Sequence, residues 1–276
     1  MVPDILSRMR IVNKYNRDEL RNQFRSGKPF PHMVIDNFLD PSYCRQIADS
    51  YPTYLEARDL GLQFDALNEK SKIQITDSDQ FPDSVNRLNS FLGSKQFLTD
   101  LSYITGIQNL LADEQLKGGG MHMTGPGGRL DVHIDFNFVE SESLHRRLNI
   151  LLYLNEEWQS TWGGQLELWD KKVRKCHRVI EPVLNRCVVF ATSEISFHGV
   201  RPITRSAQSA RKSFAAYYYT KESPADWDGE KHSTVFKARP DELVRGNVLM
   251  PLRRAMTLAT SSIRRAKRFV KKTFLS

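Results

Sequence analysis

Residues 125–135, with the sequence GPGGRLDVHID, contain the stretch on which the interpretation of this chain depends. A glycine-rich turn precedes a short run that ends in His133-Ile134-Asp135. On a β-strand the side chains of residues i and i+2 point to the same side, so the His133 imidazole and the Asp135 carboxylate are expected to face one cavity. Such a pair can bind a metal ion, although a lone HxD also occurs in surface strands and turns.

A second histidine, His198, lies in the later strand-like segment 197–203. Two histidines and one carboxylate form the facial triad of non-haem iron(II) oxygenases. Three ligands on one face of the ion leave its other positions open to a cosubstrate and to oxygen. His133, Asp135 and His198 are therefore the predicted metal ligands and the predicted catalytic centre.

The sequence before residue 118 predicts a helical or mixed part, residues 1–117, that packs on the core. The apolar run 29–39 predicts a strand, and Asp40-Pro41 can begin a helix with Asp40 as its N-cap. Residues 52–84 are expected to be irregular, whereas residues 91–104 carry apolar side chains at helical spacing.

Short strand-like segments separated by turns follow residue 118, and they predict a jelly roll or sandwich over residues 118–222. The segments are 148–154, 165–169, 186–191, 197–203 and 211–220. The fold class is therefore α+β with a mainly β core, N-terminal supporting helices and a C-terminal basic helix. Residues 223–248 are interpreted as a connecting segment.

From about Met121 to Tyr219 the chain resembles the catalytic core of the prolyl 4-hydroxylase-like 2-oxoglutarate/Fe(II) dioxygenases. The elements that carry the resemblance occur in the family's order at residues 125–128, 133–135, 152–158, 163–168, 180–182, 188–190, 197–200 and 211–217. The family's core is a double-stranded β-helix, which agrees with the strand pattern.

The resemblance implies roles for individual residues. His133, Asp135 and His198 match the iron ligands, and Arg211 matches the basic residue that binds the distal carboxylate of 2-oxoglutarate. Tyr153 matches a position that often hydrogen-bonds the same carboxylate. Alternation along its strand adds Asn149 as a further cosubstrate contact. The implied cofactors are Fe(2+), 2-oxoglutarate and O2, with ascorbate as an additional candidate.

The sequence departs from the family where a tyrosine often precedes the glycine-rich loop, since His122-Met123-Thr124 stands there. His122 is thus a candidate for substrate or cosubstrate binding, and the alternative is a strand histidine with its hydrogen bonds satisfied. Asn137, directly after the HxD, and Tyr217 are further substrate candidates, with Tyr217 expected inward and Tyr218 outward. Arg146 and Arg147 could meet an acidic substrate, and the favoured alternative is that they belong to a solvated loop.

The net charge of +8 is confined to residues 249–276, which contain eight basic residues and no acidic one, so residues 1–248 are formally neutral. Apolar residues recur there at steps of three and four, as on one face of a helix: Leu252, Met256, Ala259, Ile263, Ala266, Val270 and Phe274. Such a basic amphipathic tail suits an anionic membrane or an acidic partner, and the alternative is a helix packed on the body. No specific nucleic-acid partner is expected.

The leading functional hypothesis is an Fe(II)/2-oxoglutarate-dependent dioxygenase, a hydroxylase of an unactivated carbon that releases succinate and CO2. Its substrate is expected to be prolyl or peptidyl, an amino acid or a small metabolite. The alternative is a non-catalytic metal-binding β-helix sensor or binding module with the tail as a tether. Three scattered cysteines and the absence of a leader-like start favour a cytoplasmic protein, peripheral to a membrane if the tail binds one.

Overall fold

The computed structural model describes residues 11–252. The chain divides into two compact units, residues 1–236 and residues 237–276. The helices are α1 (Arg17–Ser26), α2 (Pro41–Ser50), α3 (Tyr54–Leu60), α4 (Asp83–Leu92) and α5 (Lys95–Thr105). The strands are β1 (His32–Ile35), β2 (Leu62–Phe64), β3 (Glu69–Ile75), β4 (Leu111–Ala112), β5 (Gly120–Ile134), β6 (Phe138–Val139), β7 (Leu144–Tyr153), β8 (Leu166–Trp169), β9 (Cys176–Ile180), β10 (Cys187–Ala191), β11 (His198–Val200), β12 (Arg211–Thr220) and β13 (Val235–Lys237).

The helices begin at residues whose side chains bind the first free backbone N–H groups. Asp40 caps α2 by accepting from the N–H groups of Ser42 and Tyr43, with Pro41 in the first turn, as the sequence predicted. Thr53 and Glu56 form a capping box at the start of α3. The helical periodicity at residues 91–104 corresponds to the end of α4 and to α5, which begins after its N-cap Ser94.

The strands form a curled antiparallel half-barrel with the order β1-β10-β7-β12-β5-β11-β8-β9. The long strand β5 pairs with two different neighbours along its length. Its residues 120–124 pair with β12, whereas Leu130 and His133 pair with β11. This half-barrel with its helices is consistent with the expected jelly-roll core. Each strand-like segment named after residue 118 overlaps one of the observed strands, although β7 begins four residues before the predicted segment 148–154.

The interpretation of residues 52–84 as irregular is wrong, because they contain α3 and the hairpin of β2 and β3. Strand β3 pairs with β5 and so extends the sheet beside the residues that precede the metal ligands. Lys72 pairs with Thr124 and Lys70 with Arg129, so residues 125–128 bulge out of this pairing. A short, polar hairpin of this kind has weak periodicity, which explains why the sequence did not reveal it.

The N-terminal helices pack against one face of the sheet in the largest apolar cluster of the described residues. Tyr218 of β12 lies in this cluster and donates its hydroxyl to the backbone oxygen of Leu92. Tyr218 points away from the cavity, as expected. It does not face solvent, however, because it is only 1% exposed. The opposite face of β12 carries Arg211, Ser213 and Tyr217, which line a cavity.

The second unit contributes only residues 237–252 to the described part of the chain. They include the π-helical turn Arg245–Leu249. The predicted basic helix over residues 249–276 lies outside the described residues from residue 253 onward. In residues 11–252, no helix has the length and apolar character that a membrane crossing requires.

Candidate metal centre

Three side chains converge where β5 ends and β11 begins. His133 and His198 are directly paired across the two strands, and their ring centroids are 4.3 Å apart. The carboxylate of Asp135 lies between them, with 3.5 Å from His133 Nε2 to one oxygen and 3.5 Å from His198 Nε2 to the other. Their ligand atoms all lie within 4.8 Å of one another, so this group could hold a metal ion.

The backbone fixes the orientation of both imidazoles. His133 Nδ1 lies 2.8 Å from the carbonyl oxygen of Asp131, and His198 Nδ1 lies 3.0 Å from that of Ser196. A carbonyl only accepts, so each Nδ1 carries the proton and each Nε2 presents its lone pair to the centre. Metal-binding histidines are usually oriented by such a bond from the second ring nitrogen.

The charges of the site favour metal binding at neutral pH. Burial, together with the neighbouring His133 imidazole, lowers the pKa of His198 to about 4, so its ring is neutral. Burial acts to raise the pKa of Asp135, but the Arg146 guanidinium and the two imidazoles hold it well below its usual range. The triad therefore presents a neutral His198 imidazole and an ionised Asp135 carboxylate beside the His133 ring, and this donor set fits a divalent transition metal.

Asn149 and Arg146 of β7 hold the carboxylate of Asp135. Asn149 Nδ2 donates to an Asp135 oxygen at 2.8 Å, and Arg146 Nη2 lies 3.3 Å from the same oxygen. Arg146 also donates through Nε and Nη2 to the Asn149 amide oxygen. Asn149 thus lines the cavity as expected, but its hydrogen bond is to the predicted metal ligand.

Placing Arg146 in a solvated loop was wrong, because it is 3% exposed and stacks over the Tyr217 ring at 3.6 Å. The cause is a β-bulge in which Tyr218 pairs with Leu148 and Tyr219 with Arg146, leaving Arg147 as the extra residue. Alternation from Asn149 would have turned Arg147 inward. The bulge instead turns Arg146 inward, and Arg147 donates to the Thr220 hydroxyl.

The triad lies in a cavity of about 240 Å³ that also contains Arg211. Arg211 is 4% exposed and donates through Nε to the carbonyl oxygen of Gly164 at 2.8 Å, while Nη1 lies 3.4 Å from the Ser213 hydroxyl. Its guanidinium lies 4.8 Å from the centre of the Tyr153 ring. The Tyr153 hydroxyl is buried and makes no hydrogen bond of ordinary geometry within the described residues.

Gly164 has a positive φ of 78°, and a Cβ there would lie 2.8 Å from the Trp158 ring and 3.3 Å from Arg211 Cδ. Only glycine fits this position, so the Gly163-Gly164 pair allows its carbonyl to reach the buried guanidinium. A buried cation beside an unsatisfied tyrosine hydroxyl suits a small dianion such as 2-oxoglutarate.

Two of the three substrate candidates named from the sequence line the cavity. His122 is one of them. Its Nε2 lies 2.9 Å from the Gly118 carbonyl oxygen and 2.9 Å from Gln74 Nε2, so His122 is also a hydrogen-bonded strand histidine. Tyr217 forms part of the wall under Arg146. Asn137 is not among the lining residues, because its amide bonds to Glu194 and to the backbone of residues 230 and 232.

Sequence reasoning did not identify the far wall of the cavity. Phe64, Lys72 and Gln74 reach it from the β2–β3 hairpin, and Thr234 and Phe236 from the segment after β12. These segments carry no motif, and they meet the triad only in the folded chain. The pairing of Glu69 with Lys72 at 2.9 Å lies at the same wall.

Comparison with protein families gives one decisive observation: the model of the 2OG-Fe(II) oxygenase superfamily matches residues 119–219. Residues 119–219 are thus similar to the 2OG-Fe(II) oxygenase superfamily. This match contains all three triad residues and Arg211, and it confirms the resemblance inferred from the sequence. The superfamily uses Fe(2+), 2-oxoglutarate and O2, whereas ascorbate stays a prediction. Comparison with curated proteins gives no match.

Solved structures show the same oxygenase fold. A prolyl hydroxylase from Trichoplax adhaerens, in complex with a hypoxia inducible factor peptide, aligns with a TM-score of 0.54 at 20% identity, covering 74% of this chain and 89% of that one. A Pseudomonas putida prolyl-4-hydroxylase aligns with a TM-score of 0.50 at 19% identity, covering 73% and 98%. The carbocyclase SnoK from nogalamycin biosynthesis aligns with a TM-score of 0.52 at 11% identity, covering 79% and 92%. At these identities the alignments establish the fold and leave the reaction open.

Replacing Asn149 by leucine removes the neutral donor to Asp135 at nearly constant volume. We expect the affinity of the protein for a divalent metal such as Co(II) to fall about tenfold to a hundredfold, as for other partners of metal ligands. Titration calorimetry at neutral pH measures the Co(II) dissociation constant of each variant. The matched control is Arg147→Leu, on the same strand but facing away from the cavity. Equal Co(II) affinities in Asn149→Leu and wild type would contradict the positioning role.

The buried His122 is expected to make the stability of the folded protein sensitive to acid. Burial, with a smaller contribution from Lys72, lowers the pKa of His122 to about 3. An unfolded chain with a histidine pKa near 6.5 binds the proton first, so stability is lost as pH falls below that value. Chemical unfolding of the metal-free protein at pH 7.5 and at pH 4.5 measures this effect. Between these two values the free energy of unfolding should fall by roughly 2 kcal/mol more in wild type than in His122→Gln.

His177→Gln is the control for this comparison, because His177 is exposed on β9. It should follow wild type over the same pH range. Parallel pH profiles for wild type and His122→Gln would show that His122 is not held neutral by the fold.

Proposed function

We propose that this protein is an Fe(II)/2-oxoglutarate-dependent dioxygenase that hydroxylates an unactivated carbon. The observation that carries the proposal is that one cavity contains two groups of side chains. The first is the triad, whose Nε2 and carboxylate atoms converge, and the second is the buried Arg211 beside the Tyr153 hydroxyl. A metal-binding sensor would need only the first. The second supports a bound dicarboxylate cosubstrate.

The overall reaction consumes 2-oxoglutarate, O2 and R–H and yields succinate, CO2 and R–OH. Bound iron and 2-oxoglutarate supply the oxidising chemistry. His133, Asp135 and His198 would hold the ion, which would supply positions for the cosubstrate and for oxygen. Asn149 and Arg146 keep the Asp135 carboxylate in place during the reaction.

Arg211 is proposed to bind the distal carboxylate of 2-oxoglutarate. Its Nε is already engaged with Gly164, so Nη1 and Nη2 are the atoms that meet the anion. Burial lowers the pKa of Arg211, yet a guanidinium stays charged at any physiological pH. The Tyr153 hydroxyl is a second donor for the same carboxylate.

The substrate is proposed to be a peptidyl, amino-acid or small-molecule group of compact and apolar character. Phe64, Phe136 and Phe236 line the cavity with Leu130 and Leu151, and this apolar wall supports the proposal. The prolyl hydroxylases among the similar structures make a prolyl group a reasonable first candidate. The carbocyclase on the same fold is a reason to test other substrates as well.

Turnover of the cosubstrate tests this proposal without a known substrate. The full chain with Fe(II) and ascorbate in air should convert 2-oxoglutarate to succinate, and His198→Ala should abolish this conversion. If the wild-type protein binds Fe(II) but neither binds nor converts 2-oxoglutarate, it is a metal-binding module and the dioxygenase proposal is wrong.

Replacing Arg211 by leucine should remove the preference for a distal carboxylate. Two charge-assisted hydrogen bonds contribute roughly 3 kcal/mol together, so wild type should bind 2-oxoglutarate about a hundredfold more tightly than 2-oxopentanoate. Arg211→Leu should bind the two keto acids almost equally. Arg178→Leu, an exposed arginine on β9, is the control and should keep the preference. A preference that survives Arg211→Leu would show that another residue binds the distal carboxylate.

We also propose that the C-terminal segment binds an anionic membrane surface. Four large apolar side chains are exposed at Leu243 (68%), Val244 (67%), Val248 (55%) and Leu252 (57%). The sequence continues this apolar spacing through residues 249–276, together with eight basic and no acidic residues. Apolar side chains next to a basic run favour insertion at a negatively charged lipid interface. The cytoplasmic location stays a prediction.

Deletion of residues 249–276 should lower binding to vesicles of phosphatidylcholine and phosphatidylserine by about a hundredfold or more, since each basic residue near such a surface contributes about 1 kcal/mol. Cosedimentation at low and high salt measures the effect. Vesicles of phosphatidylcholine alone and duplex DNA are the comparisons. Full-chain binding that does not depend on phosphatidylserine would contradict the proposal, and succinate formation by the truncated protein should be unchanged.

A further inference from the structure

After β12 the chain returns to the metal cavity. We call residues 230–236, which lie within the first unit, the strap. Side chains alternate along its end: Thr234 and Phe236 line the cavity, whereas Val235 packs against the apolar cluster that includes Val132 and Ile134. An extended segment with one face on the cavity is therefore part of its wall.

Phe236 stands next to the predicted metal ligands. The centre of its ring is 5.4 Å from that of His133, with 37° between the ring planes. His133 is also held from behind by its bond to the Asp131 carbonyl oxygen, so its ring lies between the backbone of β5 and the strap. Phe236 therefore forms part of the cavity wall directly beside the His133 imidazole.

Three side chains, which we call the latch, fix the strap: Asn137, Glu194 and His232. The Asn137 amide donates to Glu194 at 2.9 Å and to the Glu230 carbonyl oxygen at 2.8 Å, and it accepts from the His232 N–H at 3.0 Å. His232 Nε2 lies 2.7 Å from the other oxygen of Glu194. Lys231 adds an ion pair with Glu140 at 3.2 Å.

The latch joins the strap to the loop after β5 and to the loop before β11, which lie next to the predicted metal ligands. Asn137 follows Asp135 by two residues on the first loop. Glu194 lies on the second loop, shortly before Ser196, whose carbonyl oxygen orients His198. The hydrogen bonds of the latch therefore set the distance between the strap and the triad.

We propose that Thr234 and Phe236 are specificity-determining residues that limit the size of the group able to reach the metal, and that the latch positions them. The inference rests on the proposed function, since it assumes a metal held by the triad. An apolar wall discriminates by size because a group that is too large forces a clash, and a cavity typically discriminates about tenfold or more per added group.

Exogenous metal ligands of graded size test this without a known substrate. The full-length chain is loaded with Co(II), and imidazole and 4-phenylimidazole are titrated while the visible spectrum of the cobalt is recorded. The wild type should bind imidazole more tightly than 4-phenylimidazole. The ratio measured is the dissociation constant of 4-phenylimidazole divided by that of imidazole. In Phe236→Ala this ratio should fall about tenfold, because the cavity can then accommodate the phenyl group.

Rescue and latch variants separate positioning from unfolding. Phe236→Leu keeps a bulky apolar side chain and should restore most of the discrimination. Glu194→Ala removes the shared acceptor of the latch and should lower the ratio in the same direction, by less than Phe236→Ala. Asp100→Ala is the matched control, since it removes a carboxylate from the exposed pair with Arg17. Circular dichroism establishes that each variant is folded.

The outcomes distinguish the two proposals. If the wild type binds no Co(II) at the triad, or binds Co(II) but no imidazole, the triad is not a metal site that accepts a further ligand. Both the proposed function and the strap proposal are then wrong. If wild type binds both ligands and the ratio is the same in folded Phe236→Ala, Thr234→Ala and Glu194→Ala, the strap proposal alone is wrong. A ratio that falls equally in Asp100→Ala would also overturn it.

Discussion

The pairing of β5 with β11 is the constraint on which the rest of the site depends. It places His133 opposite His198, so that two imidazoles share one side of the sheet with the Asp135 carboxylate. A shift of one residue in this pairing would turn one imidazole to the other face, because side chains alternate along a strand. The curl of the half-barrel then decides what else can reach the triad.

Burying this many polar groups requires that each has a partner. The Asp135 carboxylate has the two imidazoles, Asn149 and Arg146 around it, and Arg146 is supported by the Asn149 oxygen and the Tyr217 ring. An isolated buried charge would cost several kcal/mol, so removing one partner affects all the others. Arg211 differs, because Gly164 and Ser213 leave part of its guanidinium available for an anion.

Two further parts of the chain complete the cavity, and both come from outside the jelly-roll strands that the sequence motifs identify. The β2–β3 hairpin contributes Phe64, Lys72 and Gln74, and the strap contributes Thr234 and Phe236. The triad and Arg211 lie on or next to the core strands, whereas these two walls lie on a peripheral hairpin and on the segment after β12.

The sequence by itself determined the strands of the core, the triad and the inward direction of Arg211 and Tyr217. These inferences depend on the period-two alternation of a strand and on the order of short motifs, both of which can be read locally. Only the tertiary structure decided that Arg146 faces the carboxylate, that Asn149 binds Asp135, and that Asn137 holds the strap. The physical reason is that a β-bulge at Arg147 inverts the alternation, and that the bonds of Asn137 join residues far apart in the chain. Neither a bulge nor such a long-range closure leaves a local pattern in the sequence.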